Sequence, residues 1–202
     1  MASWSAPSPW ALRLAGEDKA DELRNEGADV PIYALGDLVP TIDETAFIHP
    51  DAVIIGNVTI GAQSSVWPCA VLRGDGGEIR VGARTSIQDG SIVHTTVFTP
   101  TRIGDDCVVG HLVHLEGCTI EDGCLVGSAS VVLHDAIVRT GGVVGSNAVV
   151  PDKMIVPTGS VALGVPAKLR EATPDTLAGI AIGAEHYVHQ TELFRSQLRL
   201  IG

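Results

Sequence analysis

The chain has 202 residues, which is long enough for one domain with a sizeable hydrophobic core. Hydrophobic residues make up 45% of it but aromatic residues only 4%, so Val, Ile and Ala must fill most of the interior. A formal net charge of -11 argues against nucleic acid or an anionic membrane surface as a partner. No apolar run approaches membrane-spanning length and no secretory leader is recognisable, so we expect a soluble, cytoplasmic protein.

Residues 1–30 differ in composition from the rest of the chain and are predicted to form an N-terminal extension. The first ten residues are rich in Pro and Ser, and a charged, helix-permissive segment follows at 17–26. Trp4 and Trp10 could pin this tract to the body of the protein or to a neighbouring subunit. A mobile tail is an equally good interpretation of the same composition.

The four cysteines contain no CxxC pair, and three of them lie inside the repeat described next. We therefore expect reduced packing residues rather than disulfides or a metal cluster. They are Cys69, Cys107, Cys118 and Cys124.

Aliphatic residues recur every six positions over about a hundred residues. The first run is Ile48, Ile54, Ile60, Val66 and Leu72, and after the interruption RGDGGEIR the series resumes at Val81, Ile87 and Val93. After a second interruption, TTVFTPT, it continues through Ile103, Val109 and Leu115 and, following one five-residue step, from Ile120 to Val156. A helix repeats near 3.6 residues and a strand at 2, so neither explains this period. Hexapeptide repeats predict a parallel β-helix, in which each hexapeptide forms one short strand and a corner.

Three hexapeptides close one triangular coil of about 18 residues, and coils stack at the interstrand spacing of about 4.8 Å. If both interruptions loop out without changing face, the outward residues that stack in columns can be predicted. One column contains Arg73, His94, Glu116 and Leu133, and a neighbouring column contains Trp67, Gln88 and Gly110. Asp89 is predicted to lie beneath His111, and His114 above Ile92.

The repeat ends at LGVPAK, residues 163–168, where Pro166 is predicted to stop further strand pairing. Residues 174–201 then carry an apolar stripe at helical spacing, with Pro174 in a position that suits the first turn of a helix. The sequence therefore predicts a β-helix over residues 31–168 and a C-terminal helical segment over 169–202, which could pack back along one face.

Several segments resemble the gamma-class carbonic anhydrase family, over roughly residues 31–187. They are PIYALGD from residue 31, VWPCAVLRGD at 66–75, SIQDGSIVH at 86–94, VGH at 109–111, EGCTI at 116–120, and LGVPAK and EHYV near the end. LGVPAK alone is weak, because hexapeptide acyltransferases end similarly, whereas LRGD, and IQDG followed by His94, are much more specific. The resemblance implies an all-β fold, a left-handed parallel β-helix of hexapeptide repeats with a C-terminal α-helix. It also implies a homotrimer with a metal at each subunit interface.

The family's metal ligands are three histidines, one after the IQD segment and then a pair spaced H-x4-H. The first and third come from one subunit and the second from its neighbour. Carried over to this chain, His94 and His111 match, but Glu116 occupies the third position. Two histidines and a carboxylate can hold catalytic zinc, with iron or cobalt as alternatives. His114 is the alternate third ligand, or else supports the site or shuttles protons.

The resemblance also assigns roles to residues around the metal. Gln88 would orient the reactive hydroxide, and Asp89 would hold an imidazole or Arg73. Arg73 and Asp75 would form an ion pair at the subunit interface, although a surface pair of little energetic value is the alternative. Tyr187 would lie near the site or simply pack. The remaining histidines are predicted to be solvated surface residues, namely His49, His134, His186 and His189.

The resulting hypothesis is a carbonic anhydrase-like lyase that hydrates CO2 to bicarbonate. Zinc lowers the pKa of its bound water to about 7 and so supplies hydroxide for the reaction. Glu116 in place of a neutral histidine lowers the effective charge of the ion, so the activity is expected to be weak or lost. A metal-free trimer used for binding or scaffolding is the second hypothesis. Acyl transfer from CoA ranks last, because segments 74–78 and 95–101 are short and no cationic cluster stands out for the CoA phosphates.

Overall fold

The computed structural model describes residues 30–201, so the predicted N-terminal extension lies outside the described residues except for Val30. Residues 30–201 form twenty strands followed by one helix. The first ten strands are β1 (Ile32–Tyr33), β2 (Thr41–Ile42), β3 (Phe47–Ile48), β4 (Val53–Ile60), β5 (Ser65–Val66), β6 (Val71–Val81), β7 (Ser86–Ile87), β8 (Ile92–His94), β9 (Thr101–Ile103) and β10 (Val108–Val109). The others are β11 (His114–Glu116), β12 (Thr119–Ile120), β13 (Leu125–Val126), β14 (Val131–Val132), β15 (Ile137–Val138), β16 (Val143–Val144), β17 (Val149–Val150), β18 (Ile155–Val156), β19 (Ser160–Leu163) and β20 (Lys168–Glu171).

These strands build a three-sided prism of about seven coils, and each coil contributes a strand segment to each side. Face A contains β1, the first parts of β4 and β6, and then β8, β11, β14 and β17. Face B contains β2, the second parts of β4 and β6, and then β9, β12, β15 and β18. Face C contains β3, β5, β7, β10, β13, β16 and β19. Pairing between successive coils is parallel throughout, which confirms the predicted left-handed β-helix.

The aliphatic residues of the six-residue repeat line the interior of the prism. Leu72, Val93, Leu115 and Val132 are register partners in successive coils of face A, and all four are fully buried. Each such side chain contributes about 1.5–3 kcal/mol through the hydrophobic effect. Because the interior is a stack of thin aliphatic layers, the fold needs few aromatic residues.

The corners between faces B and C are stabilised by acidic side chains. Asp105 Oδ1 accepts a hydrogen bond of 2.8 Å from the backbone N–H of Ala83 in the coil below. Glu121 accepts one of 2.9 Å from the backbone N–H of Thr140 and one of 2.5 Å from the guanidinium of Arg139. These carboxylates satisfy backbone donors at corners, where the strand ladder is interrupted.

Two predictions about the chain path were wrong. Residues 74–78 do not loop out but lie within β6, which bends around the edge between faces A and B. β6 has more residues here than β4, so the pairing register between the two strands shifts between Gly56 and Val58. Pro166 does not end strand pairing either, because it lies in a turn that reverses the chain, and β20 then pairs antiparallel with β19.

Helix α1 (Pro174–Gln197) returns along face C toward the first coils. Thr173 caps it by accepting a 3.2 Å hydrogen bond from the N–H of Thr176, and Pro174 occupies the first turn as predicted. Its other end is anchored by Phe194, whose ring centroid lies 4.9 Å from that of Trp67. No helix within residues 30–201 is both long and apolar enough to span a bilayer.

Replacing Glu121 by Gln tests the contribution of the corner carboxylates. The hydrogen bonds from Thr140 and Arg139 hold the pKa of Glu121 below its ordinary value of 4.5. A carboxylate whose pKa is lowered by folding stabilises the protein above its unfolded pKa and loses that contribution as the pH falls through the folded pKa. We therefore expect Glu121→Gln to lower the free energy of unfolding at neutral pH, with a difference that narrows below about pH 4.5.

Urea unfolding measured from neutral pH to about pH 3 would show this narrowing. Glu171→Gln is the matched control, because Glu171 is exposed on β20 and has no ion-pair partner among the residues that the structure describes. It should leave stability almost unchanged at every pH. An equal loss for Glu121→Gln at all pH values would contradict the role assigned to its charge.

Candidate metal centre

Arg73, His94 and Glu116 are register partners in three successive coils of face A. This confirms the column predicted from the hexapeptide period. Strand alternation also places His114 and Glu116 on the outer side of β11, since Leu115 between them points into the core. The fold therefore brings imidazole and carboxylate groups together on one outer surface.

The face A cluster consists of Arg73, Asp75, His94, His114 and Glu116. Its centre is His94, whose Nδ1 lies 2.9 Å from Glu116 Oε1 and whose Nε2 lies 3.0 Å from Asp75 Oδ1. His114 Nε2 lies 3.3 Å from the other oxygen of Glu116, and Arg73 forms an ion pair with Asp75. Five of the predicted site residues thus form one continuous hydrogen-bonded group.

The charges in this cluster favour a cation at His94. Burial raises the pKa of Glu116, but hydrogen bonds from His94 and His114 outweigh it and hold the pKa below the ordinary value. The pKa of Asp75 is likewise lowered, since hydrogen bonds from His94 and Arg73 together outweigh burial. A neutral imidazole has only one N–H, so it cannot donate to two ionised carboxylates. A proton or a metal ion on the ring resolves this conflict.

A second group lies at the corner between faces C and A, and we call it the C/A corner cluster. It consists of Gln88, Asp89, His111 and Tyr187. His111 Nδ1 lies 2.9 Å from Asp89 Oδ2, as predicted, and the His111 side chain is 53% exposed. The bond to Asp89 leaves Nε2 of His111 without a protein partner among residues 30–201.

Helix α1 completes the C/A corner cluster by placing Tyr187 beside it. The Tyr187 ring centroid lies 6.0 Å from that of Trp67, whose indole N–H donates to the hydroxyls of Ser65 and Ser86. Burial raises the pKa of Tyr187, and the neighbouring amide of Gln88 partly offsets this. Gln88 itself is buried, and its amide lies beside the Tyr187 hydroxyl.

The two clusters lie on different parts of the prism, with His94 and Glu116 on face A and His111 at the C/A corner. Within residues 30–201, no group of three or more His, Cys, Asp or Glu side chains is arranged to hold a metal ion. The three predicted ligands are therefore not assembled within one chain.

Two histidines that were predicted to be solvated have other environments. His134 lies against the face A cluster, with Nε2 3.8 Å from Glu116 Oε1 and Nδ1 3.9 Å from Asp152. The predicted column could have indicated this position, because it ends at Leu133, one coil above Glu116, and His134 is the next residue. His49 is buried beside Phe47, and its Nδ1 accepts a 3.1 Å hydrogen bond from the backbone of Asp51.

The prism of hexapeptide coils, with imidazoles and carboxylates on its outer surface, defines a hexapeptide-repeat protein of the left-handed β-helix class. The sequence profile of the family described as bacterial transferase hexapeptide (six repeats) matches residues 40–74 and 100–134. Protein YrdA from Escherichia coli is 38% identical to this chain, over 80% of the chain and 92% of YrdA. Gamma carbonic anhydrase 2, mitochondrial, from Arabidopsis thaliana is 36% identical over 80% of the chain. The chain belongs to the gamma carbonic anhydrase family of hexapeptide-repeat proteins.

Two crystal structures share the fold. A candidate acetyltransferase from Bacillus cereus has 31% identity and a TM-score of 0.82, and covers 84% of this chain and 99% of its own. A hexapeptide transferase family protein from Anaplasma phagocytophilum has 34% identity and a TM-score of 0.79, over 81% and 98% of the two chains. The alignment with the Arabidopsis protein spans only 60% of that relative's length. Similarity of fold therefore extends to proteins named for a different reaction.

Gly74 lies between Arg73 and Asp75, which form an ion pair. Two glycine substitutions test how closely the backbone at Gly74 approaches the neighbouring coil. A Cβ at Gly74 would lie 2.5 Å from the carbonyl oxygen of Asn57 in the coil below. We expect Gly74→Ala to destabilise the protein by about 1–3 kcal/mol, since two backbones would have to move apart.

Gly179→Ala is the matched control, because no atom beyond the neighbouring backbone of α1 lies within 4 Å of its Cβ position. It should stabilise the protein by about 0.5–1 kcal/mol, because alanine favours a helix interior. Chemical denaturation of both variants would measure the two effects. Unchanged stability of Gly74→Ala would contradict the close approach of the two coils.

Proposed function

We propose that this protein is a homotrimeric, metal-dependent enzyme that hydrates CO2 to bicarbonate, with weak activity at neutral pH. In this proposal His94 and Glu116 of one subunit and His111 of its neighbour hold the metal. The main support for this proposal is that two of the proposed histidine ligands each lie beside an aspartate. His94 Nε2 lies 3.0 Å from Asp75, and His111 Nδ1 lies 2.9 Å from Asp89. Histidines that bind metals usually donate their other ring N–H to such a carboxylate.

The face A cluster fits a tetrahedral ion with little rearrangement. Ligand atoms at about 2.0–2.2 Å from such an ion are roughly 3.3–3.5 Å apart. His94 Nδ1 and Glu116 Oε1 are 2.9 Å apart, so small side-chain rotations would admit the metal. Zinc is the proposed ion, because two histidines and a carboxylate form one of its catalytic ligand sets. Iron and cobalt remain the alternatives for the same donors.

When bound, zinc supplies hydroxide near neutral pH by lowering the pKa of water. Glu116 brings a negative charge where the family usually has a neutral imidazole, and this opposes that lowering. In this proposal Gln88 hydrogen-bonds the reacting oxygen. Tyr187, whose raised pKa keeps it protonated, can donate from the same side. His114 lies beside Glu116, 37% exposed, where it can carry the proton to solvent.

His114 is retained as the alternate third ligand. Its Nε2 lies 3.3 Å from Glu116 Oε2, so either side chain reaches the space beside His94. A His114 ligand would restore three neutral imidazoles and leave Glu116 to support one of them. Separate substitution of the two residues distinguishes these arrangements.

A metal-free trimer used for binding is the second candidate function. It is favoured by the direct hydrogen bonds of His94 to Glu116 and Asp75, which hold these side chains together without a metal ion.

Acyl transfer ranks last. Four of the eight arginines within residues 30–201 are engaged with carboxylates, which leaves fewer cationic groups for the CoA phosphates. The four are Arg73, Arg84, Arg102 and Arg139. The predicted cytoplasmic location stays a prediction, and two relatives are named mitochondrial.

Substitutions at Glu116 test the ligand set. We expect the wild-type trimer to retain about one zinc per chain, Glu116→Ala to lose it, and His114→Ala to keep it. Glu116→His should keep the metal and raise the CO2 hydration rate at pH 7 by about tenfold or more, because a neutral ligand lowers the pKa of the metal's water.

Elemental analysis and stopped-flow hydration would measure these effects, with His186→Ala, an exposed residue of α1, as the matched control. A wild-type protein that binds no zinc, iron or cobalt would contradict the proposed metal site. Loss of metal from His114→Ala but not from Glu116→Ala would identify His114 as the ligand instead.

Asp75 and Asp89 test the supporting carboxylates. Replacing either by Asn should weaken zinc affinity about 10–100-fold, since each aspartate orients one imidazole. Competition with a chelator would measure the affinity independently of activity. Asp152→Asn is the control, because the ion pair of Asp152 within residues 30–201 is a 3.9 Å one with His134, at the edge of the cluster. Equal affinities for all three variants would count against both pairs as metal-site supports.

A further inference from the structure

Phe98 is the most exposed large hydrophobic residue of the described chain. It is 90% exposed, and Val97 before it is 76% exposed. Both lie in the segment between β8 and β9, directly after His94. Val97 and Phe98 are adjacent exposed apolar side chains beside the face A cluster, so a contact that covered both would bury a large apolar area.

The segment that carries Phe98 is held in place by hydrogen bonds. Thr95 Oγ1 donates to the carbonyl of Thr99 at 2.9 Å, and the hydroxyls of Thr96 and Thr99 are 2.6 Å apart. The Thr99 N–H also donates to Thr96 Oγ1 at 3.1 Å. Phe98 is therefore presented to solvent by an internally braced turn.

Leu112, which follows His111, is a second exposed apolar residue, and its backbone conformation is also unfavourable for leucine. Its φ is 58°, in the left-handed region that bulky residues avoid, and it is 67% exposed. Other corner residues with this conformation are polar, small or cysteine. They are Gln63, Cys69, Arg84, Asp106, Ala129, Asp135, Asn147 and Lys153. The Leu112 side chain lies over Gly90, where an added Cβ would meet its Cδ2 at 2.6 Å, but most of it stays exposed. A contact outside the chain would cover the part that Gly90 leaves open.

We propose that Val97 and Phe98 of one subunit pack against Leu112 of the next, forming an apolar seal beside the metal site. This inference rests on the proposed function, which brings His111 of one copy to His94 of another. Phe98 is four residues from His94, and Leu112 adjoins His111, so the same approach brings the two apolar surfaces together. The occupant is a second copy of this chain, because the ligand set is incomplete without one.

The seal would have a chemical consequence for the site. Apolar side chains at its border exclude bulk water and strengthen the electrostatic interactions of the bound ion. They also favour entry of a small uncharged molecule such as CO2 over larger polar ones. The segment 95–100 would thus act on substrate access as well as on assembly.

Cross-linking between two differently tagged copies tests the contact. Both copies carry Cys69→Ser, since Cys69 is exposed and the other three cysteines are buried. One copy carries Phe98→Cys and the other Leu112→Cys, and a short bismaleimide is added to the co-expressed protein. We expect a cross-linked species containing both tags. The control pair replaces Leu112→Cys by Leu200→Cys, which is 84% exposed at the end of the chain and should not cross-link.

Subunit association provides the second readout. Phe98→Asp and Leu112→Asp should each weaken association about tenfold or more, because a buried apolar side chain is replaced by a charge. Leu200→Asp should leave association unchanged. Analytical ultracentrifugation measures the dissociation, and circular dichroism of the separated subunits checks that each variant is folded.

The outcomes separate the seal from the proposed function. A metal-binding wild-type trimer with no 98–112 cross-link, or with full association in Phe98→Asp, overturns the seal and leaves the function standing. A wild-type protein that is monomeric and binds no metal overturns both. Cross-linking of the 98–112 pair alone, with dissociation of both aspartate variants, establishes the contact.

Discussion

The parallel hydrogen-bonded ladder between successive coils is the constraint on which the rest of the molecule depends. It holds neighbouring layers about 4.8 Å apart and in register, so outward residues one coil apart become close neighbours. His94 and Glu116 are 22 positions apart in sequence, yet their side chains meet at 2.9 Å. The aliphatic interior maintains this register, because a one-residue slip would turn every core residue outward.

The ladder also explains why the candidate centre combines so many charged groups. Each coil adds one outward position to the column, and acidic or basic residues at these positions are stacked by the backbone whether or not they attract one another. Asp75 and Glu116 flank His94, while Asp89 holds His111 at the neighbouring corner. With two carboxylates and one guanidinium, the face A cluster is net negative when its imidazoles are neutral, which favours a cation. His111 Nε2 has no protein partner among residues 30–201, which suits a ligand that serves another subunit. In the proposed assembly, the same geometry places Phe98 and Leu112 at the border of the site.

Much of the fold followed from the hexapeptide period, because six-residue spacing has few physical explanations. The stacking of Arg73, His94 and Glu116 could be predicted by counting, and so could the contact between Asp89 and His111. Counting failed where the backbone departs from the period: residues 74–78 stay in the sheet through an irregular pairing, and the turn at Pro166 starts an antiparallel strand. His134 and His49 were misassigned because neighbours from other coils determine their environment. In the proposed assembly a second chain brings His111 to His94 and Glu116, and the periodicity of one chain carries no information about how two chains meet.

The most direct test is an anomalous difference map, recorded at the zinc absorption edge, from crystals of the full-length protein grown with zinc. The proposed site predicts one strong peak per subunit, bounded by His94 and Glu116 of one copy and His111 of the next. Crystals with no peak at this position, or copies packed so that His111 faces solvent, would contradict it.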